Sequence, residues 1–305
     1  MAYDLSNYLV IGISSRALFD LSFENEVYEK EGLEAYCRYQ LEHENDILQP
    51  GAGFALIAAM LKLNQIDTSR RRTEVVIVSR NSADTSLRIS NSIDHYQLDI
   101  TRAAFTGGEP VAKYLNAFDV DLFLSATEED VQAAVESQVA SGLIYDAPRQ
   151  HADRPLDQIR IAFDGDAVLF SEESEIIYQE QGLEAFIQHE KLNAEKPLPE
   201  GPFAKLLKTL SYLQFDLDEH RDGPPPIRTA LVTARNSPAH ERVIRTLRAW
   251  NVRIDETFFL GGVSKDRVLA SFKPHIFFDD QQRHCDPASR LVPTARVPYP
   301  RVVET

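Results

Sequence analysis

The segment YEKEGLEAY, Tyr28 to Tyr36, returns as YQEQGLEAF, Tyr178 to Phe186, 150 residues further on. Other pairs keep the same order: Pro50-Gly51 to Phe54 resembles Pro199 to Phe203, SRNS from Ser79 resembles ARNS from Ala234, and FTGG from Phe105 resembles FLGG from Phe259. All these offsets fall between 149 and 155. Isolated helix and turn words do not repeat collinearly by chance, so the pattern predicts a duplicated α/β unit. Strand-like runs occur at Tyr8 to Ile13, Val75 to Ser79, Asp121 to Leu124, Gln158 to Phe163, Arg228 to Thr233, Thr257 to Leu260 and His275 to Phe278, with helical patterns between them. They are short and apolar without alternation. That predicts strands buried on both faces of a mostly parallel, helix-wrapped sheet. The polar segment Tyr145 to Asp157 holds two prolines and separates the halves, which places the domains at 1–150 and 151–305.

Composition narrows the function. The 305 residues are 43% hydrophobic and 26% charged, ordinary values for a globular chain. A net charge of −15 repels phosphate backbones, which argues against nucleic-acid polymers as partners. No apolar run approaches a membrane span, and Met1 to Ile13 lacks the form of a signal peptide, so a cytoplasmic location is expected. Cys37 and Cys285 have no cysteine or histidine partners at metal-ligand spacing and read as ordinary thiols. The acidic surface is compatible with a monomer or a homo-oligomer.

Chemistry gathers in the second half. In IRIAFDGDAVLF, Asp164 and Asp166 follow an apolar strand, and alternation along an extended chain predicts that both carboxylates point the same way. LVTAR ends another strand on Thr233, followed by Ala234 and Arg235 and by a helix start able to face an anion. GGVSKDRVL sets Lys265 at the head of a helix, and Gly261-Gly262, like Gly107-Gly108, reads as a turn, not a phosphate loop. HIFFDDQ ends a strand on Asp279 and Asp280, neighbouring carboxylates that repel unless turned apart or bridged by a cation.

The order strand-DxD, strand-Thr, Lys, strand-DD resembles the four motifs of the haloacid dehalogenase superfamily of phosphohydrolases. The wording SSRALF, YQLEHEN, NSIDHY, TGG, AFDGDAVLFS, HEK, LVTAR, TLRAW and PHIFFDDQ, from Ser14 to Gln281, is similar to the cytosolic 5′-nucleotidase type I family. The resemblance implies two Rossmann-like units of haloacid-dehalogenase type, and Mg²⁺-dependent hydrolysis of nucleoside 5′-monophosphates, AMP-like or deoxynucleotides. Asp164 is then the nucleophile that forms an aspartyl phosphate. Asp166 is the general acid and base, while Thr233, with the amide after it, and Lys265 meet the phosphoryl oxygens. Metal binding is expected from Asp164, from Asp166 through its carbonyl, and from Asp279 or Asp280. Ala234 and Arg235 are further substrate-binding candidates.

The stretch from about 171 to 228, helical at Glu172 to Lys191 and Phe203 to Leu213, reads as a cap inserted in the catalytic unit; packing on the sheet is the plain alternative. The repeat projects Asp164 onto Ser14, Asp166 onto Arg16, Thr233 onto Val78, Lys265 onto Val111, and Asp279 with Asp280 onto Ser125 and Ala126. The amino-terminal copy is therefore degenerate and non-catalytic. Arg16 is suited to a phosphate or carboxylate, and Asn91 and His95 to a base or ribose, in a substrate-supporting or nucleotide-effector role; simple packing is the alternative. Two other functions fit the same motifs: a phosphatase or phosphotransferase acting on another small phosphate ester, and a nucleotide-binding regulator.

Overall fold

The computed structural model describes residues 5, 8–146, 158–219 and 223–299. The chain divides into two compact units, Met1–Leu156 and Asp157–Thr305. Of the boundary segment expected from sequence, 147–157 lies outside the described residues.

The first unit holds β1 (Leu9–Ile13), β2 (Phe19–Asp20), β3 (Gln49–Pro50), β4 (Thr73–Ser79), β5 (Arg102–Phe105), β6 (Leu122–Ser125) and β7 (Ala140–Ile144). Five of these form a parallel sheet in the order β7-β6-β1-β4-β5, and β2 and β3 make a small antiparallel pair. The second unit holds β8 (Ile159–Phe163), β9 (Ile227–Thr233), β10 (Glu256–Phe259), β11 (Ile276–Asp279) and β12 (Thr294–Arg296). Its parallel sheet runs β10-β9-β8-β11-β12. Counted along the chain, each unit places its main strands in the same order, with the first strand in the middle.

Burial explains the strand sequences. LVIGI of β1 and TEVVIVS of β4 are buried along their whole length, so both faces take β-branched or small side chains. Val10, Val76, Val78 and Phe123 pack with Val111 and Leu115 beside the first sheet. Ala162, Ala230, Val232 and Phe277 pack with Leu269 and Phe272 beside the second. The seven expected runs each overlie a strand. Besides the two-residue β2 and β3, the missed strands β5, β7 and β12 carry RAAF, ASGLI and TAR, which are short, small or interrupted by glycine.

The expected cap region carries two helices. Its second helix, Ala204–Glu219, is the crossover between β8 and β9: Leu206, Leu207, Leu210 and Leu217 are buried, and the Gln214 amide donates to the Ile227 carbonyl at 3.3 Å. Its first helix, Glu173–Leu192, is broken at Gly182, whose φ of 82° favours glycine. The helical segment is not peculiar to this unit. Between β1 and β4 the first unit carries helices Ser22–Glu31 and Leu33–Glu42, broken at Gly32 with φ 84°, followed by Phe54–Lys62.

Candidate active site

Parallel pairing brings the carboxyl ends of β9, β8 and β11 to one edge, with β8 between the other two. Ligands of open α/β sheets bind at such an edge. The strand β8 stops at Phe163, and the following chain turns. The Asp164 N–H donates to the Phe278 carbonyl at 2.8 Å, the N–H groups of Leu169 and Phe170 converge on the Gly165 carbonyl, and Ala167 takes φ 62°. Asp164 thus directly follows the strand, and Asp166 lies just before the turn that Ala167 makes.

Four charged groups meet in the interior. Carboxylate oxygens of Asp164, Asp279 and Asp280 lie within 4.8 Å of one another, and all three residues are buried. Lys265, the first residue of helix Lys265–Phe272, places Nζ 2.7 Å from Asp164 Oδ1 and 2.7 Å from Asp279 Oδ2. Three carboxylates against one ammonium leave excess negative charge in a dry site. Burial pushes the Asp164 carboxyl well above its usual range, with Lys265 opposing the rise. Burial likewise raises Asp280 to about 6, helped by the charge of Asp279. Burial would raise Asp279 too, but Lys265 and His284 outweigh it and hold that carboxyl below its usual value. Burial disfavours the Lys265 ammonium, yet Asp164 and Asp279 hold its pKa above the ordinary value.

The donor set fits a hard divalent cation. Such ions take oxygen ligands, and this cluster offers three carboxylates. Asp280 Oδ1 is buried without a hydrogen-bond partner, an oxygen for which a cation would supply the missing contact. Three of the four expected metal-binding residues, Asp164, Asp279 and Asp280, bring their carboxylates together here, while Asp166 was expected through its backbone carbonyl. The Asp166 carboxylate stands outside the cluster, gripped by Arg235 through Nε at 2.8 Å and Nη2 at 2.6 Å.

The remaining expected residues are distributed as follows. Thr233 ends β9, is buried, and accepts the Arg235 N–H at 3.2 Å. Ala234 is exposed beside it. In the first unit Arg16 is exposed, Asn91 spends its amide on the Glu44 carbonyl at 2.8 Å, and exposed His95 lies edge-on to Tyr96. Sequence reasoning missed three groups that hold the site. His284 sets Nδ1 3.2 Å from Asp279 Oδ2, Tyr299 donates to Asp280 Oδ2 at 2.5 Å, and Glu190 accepts from Arg235. HEK around Glu190 and the DDQ-to-His284 spacing were visible signals; Tyr299 had none.

Strand register also corrects one projection between the halves. Ile77 of β4 pairs with Ile13 and Ser79 with Phe105, as Leu231 of β9 pairs with Phe163 and Thr233 with Phe259. Thr233 therefore corresponds to Ser79, not Val78, a hydroxyl ends the strand in both units, and Arg235 corresponds to Asn81, not to Arg80 as the SRNS–ARNS match placed it. In the first unit that hydroxyl joins a neutral network: Ser79 Oγ lies 2.9 Å from Ser15 Oγ and donates to Asn81 Oδ1 at 2.8 Å.

The chain matches the family described as 5'-nucleotidase over residues 1–304. It is 40% identical over 292 residues to human cytosolic 5'-nucleotidase 1B, an alignment covering 93% of this chain and 48% of that protein. The chain thus spans about half the length of that relative. No solved structure matches it. No helix among the described residues is long and apolar enough to cross a membrane. On a family match running almost end to end and this level of identity, the chain belongs to the 5'-nucleotidase family.

Proposed function

We propose that this protein hydrolyses nucleoside 5′-monophosphates, AMP-like ribonucleotides or deoxynucleotides, to nucleoside and phosphate in the cytoplasm, with Mg²⁺ at the three-aspartate cluster. The observation that carries the reading is the buried meeting of Asp164, Asp279, Asp280 and Lys265 at the carboxyl edge of a parallel sheet, in a chain of this family.

Asp164, Asp279 and Asp280 would hold the ion, which when bound offsets the charge of an incoming phosphate and keeps the nucleophile ionised. Asp164 attacks phosphorus, forming an acyl phosphate as the bond to the 5′-oxygen breaks. Asp166 gives its proton to that oxygen, then takes one from the water that attacks the acyl phosphate, releasing phosphate and restoring Asp164. Thr233 and the neighbouring amide donate to the phosphoryl oxygens, and Lys265 balances their charge. Positioning and charge compensation of this kind are what slow phosphate-ester hydrolysis requires.

The doubled architecture is an ancient duplication in this reading, supported by the collinear repeats and by the common strand order of the two sheets. Asp164, Asp279 and Asp280 correspond to Ser14, Ser125 and Ala126, so the first unit has no carboxylates at these three positions and takes a supporting role. The helix Glu173–Leu192 serves as the lid of the catalytic unit.

The test is phosphate release from a panel of nucleotides and sugar phosphates, with and without Mg²⁺, for the wild type and Asp164→Asn. Mg²⁺-dependent release from nucleoside monophosphates, lost in Asp164→Asn by about 10³-fold or more, is the expected result. Equal activity of the two proteins would overturn the assignment, and release from sugar phosphates alone would reassign the substrate.

A further inference from the structure

We propose that Arg235 is a positioning residue, holding the Asp166 carboxylate for its proton transfers, and that Glu190 on the helical segment in turn holds Arg235. This rests on the reading of Asp166 given above.

Each nitrogen of the guanidinium donates to a carboxylate inside the protein. Its Nε and Nη2 take the two oxygens of Asp166 at 2.8 and 2.6 Å, and Nη1 donates to Glu190 Oε2. Its flat face lies 5.4 Å from the Phe186 ring centre. Glu190 is itself fixed through its other oxygen, which accepts from Arg242 at 3.0 Å and from Ser174 at 2.9 Å. A planar fork gripping both oxygens of a carboxylate fixes its direction, which a lysine cannot do. Arg235 is 4% exposed and carries this grip on β9's end, two residues beyond Thr233.

The first unit supplies an internal control. Its positions equivalent to Ser174, Phe186, Glu190, Arg235 and Arg242 are Glu24, Tyr36, Gln40, Asn81 and Arg88, by the helix repeat and the strand register. The buried arginine of the last position is kept, and Arg88 donates to Glu24 at 2.6 Å and to Gln40 at 3.3 Å. Asn81 donates to the Tyr36 hydroxyl at 2.9 Å. A broken helical segment therefore docks on its unit with no second arginine. The first unit lacks both members of the Asp166–Arg235 pair, having Arg16 and Asn81 in their places, and it is the unit without the aspartate cluster. Docking the segment does not require Arg235; orienting Asp166 does.

The experiment compares turnover of AMP with that of its 5′-S-phosphorothiolate analogue, whose thiolate leaves without needing a proton, both with Mg²⁺. Two variants are used: Arg235→Lys, and the combination Ser174→Glu, Phe186→Tyr, Glu190→Gln and Arg235→Asn, which installs the first unit's own satisfied network and protects the fold. Both are expected to lose about 10²-fold in kcat on AMP, the usual size of an acid–base contribution. KM should stay within about threefold, since binding contacts are untouched. The loss on the analogue should be under about tenfold, because Asp166 has no proton to deliver in its first step. Unchanged kcat on AMP would overturn the proposal. So would a raised KM at unchanged kcat, which would make Arg235 a phosphate ligand, and so would equal losses on both substrates, which would make its role structural. Wild-type-like turnover by Asp164→Asn would bring down the whole site reading, whereas an inactive Asp164→Asn beside a fully active combination variant would remove Arg235 alone.

Discussion

The Tyr299 hydroxyl donates to Oδ2 of Asp280 at 2.5 Å, while Oδ1 of the same carboxylate is buried with no partner among the described residues. One oxygen is thus tied to the protein and the other is left without a hydrogen bond, in a residue that shares a cluster with Asp164 and Asp279. Orientation of a ligand by a neighbouring donor is a common feature of metal sites, and removal of such donors costs affinity. Asp279 is oriented by other donors, Lys265 Nζ at 2.7 Å and the Gln281 N–H at 2.9 Å. The two adjacent aspartates are therefore held by different donors of the unit while their carboxylates stay close to one another.

Tyr299→Phe removes only the hydroxyl. Asp280 can then rotate, and Mg²⁺ affinity should fall about tenfold, the lower end of the effect of losing an orienting contact. Titration of the Mg²⁺-induced rise in melting temperature reads this directly, without turnover. An unchanged midpoint would show that Tyr299 does not orient the ligand.

Asp280→Asn should act in opposite directions on the metal-free and metal-loaded protein. Burial and the charge of Asp279 already push the Asp280 carboxyl up to about 6, so at neutral pH its ionised form is held at a cost. The amide removes that repulsion and should leave the metal-free protein as stable as wild type or more so. Mg²⁺ at about 100 times its dissociation constant stabilises a protein by about 2.7 kcal/mol, and this gain should largely disappear in the variant. Calorimetry with and without Mg²⁺ checks both signs.

Asp164, Thr233, Lys265 and Asp279 were legible in the sequence because each terminates an apolar strand or opens a helix, and parallel pairing carries strand ends to one edge. What the local pattern does not contain is which distant side chain completes each group. Tyr299 follows the last described strand in a stretch with no periodicity, and Glu190 lies 45 residues from Arg235 on another element. Arg235 likewise reaches Asp166 from another strand end, 69 residues further along the chain. The strand β12 has three residues, TAR, too few to show any alternation.

Glu190 links this network to acid stability. Burial would raise its carboxyl, but the charges of Arg235 and Arg242 outweigh burial and hold it below its ordinary 4.5. A carboxyl depressed in the folded state stabilises the protein above the unfolded value, and that contribution disappears as pH falls through the folded value. Glu190→Gln should therefore destabilise by about 3 kcal/mol at pH 7, as expected when one partner of a buried ion pair is removed. The difference should narrow progressively below about pH 4.5, where the wild type also loses the charge. Urea unfolding at several pH values measures it, and a gap that stayed constant into acid would contradict the assignment.

Gly201 supports the turn that follows Asp166. Its N–H donates to the Leu169 carbonyl at 2.9 Å, and the adjoining Ser171 N–H donates to the Pro199 carbonyl at 2.9 Å, so the segment before helix Ala204–Glu219 is laced to the chain that follows β8. A β-carbon at this glycine would run into the Phe170 carbonyl oxygen and lie 2.6 Å from that of Val168. Both obstacles are backbone, so they cannot swing aside as a flexible side chain would. Gly201→Ala should force the two segments apart and destabilise the protein by about 2 kcal/mol, the middle of the range for overpacking. The displacement reaches residues 167–171, directly after Asp166, and misplacement of a reacting group by a fraction of an ångström should lower kcat by about tenfold or more. The matching control is Gly262→Ala: its φ of 91° strains a side chain, but no atom lies within 4 Å of the added carbon, so a loss of about 1 kcal/mol by strain alone is expected there. Chemical denaturation of the two variants beside the wild type separates the effects, and equal losses at both positions would show that close backbone approach at Gly201 is not what limits that site.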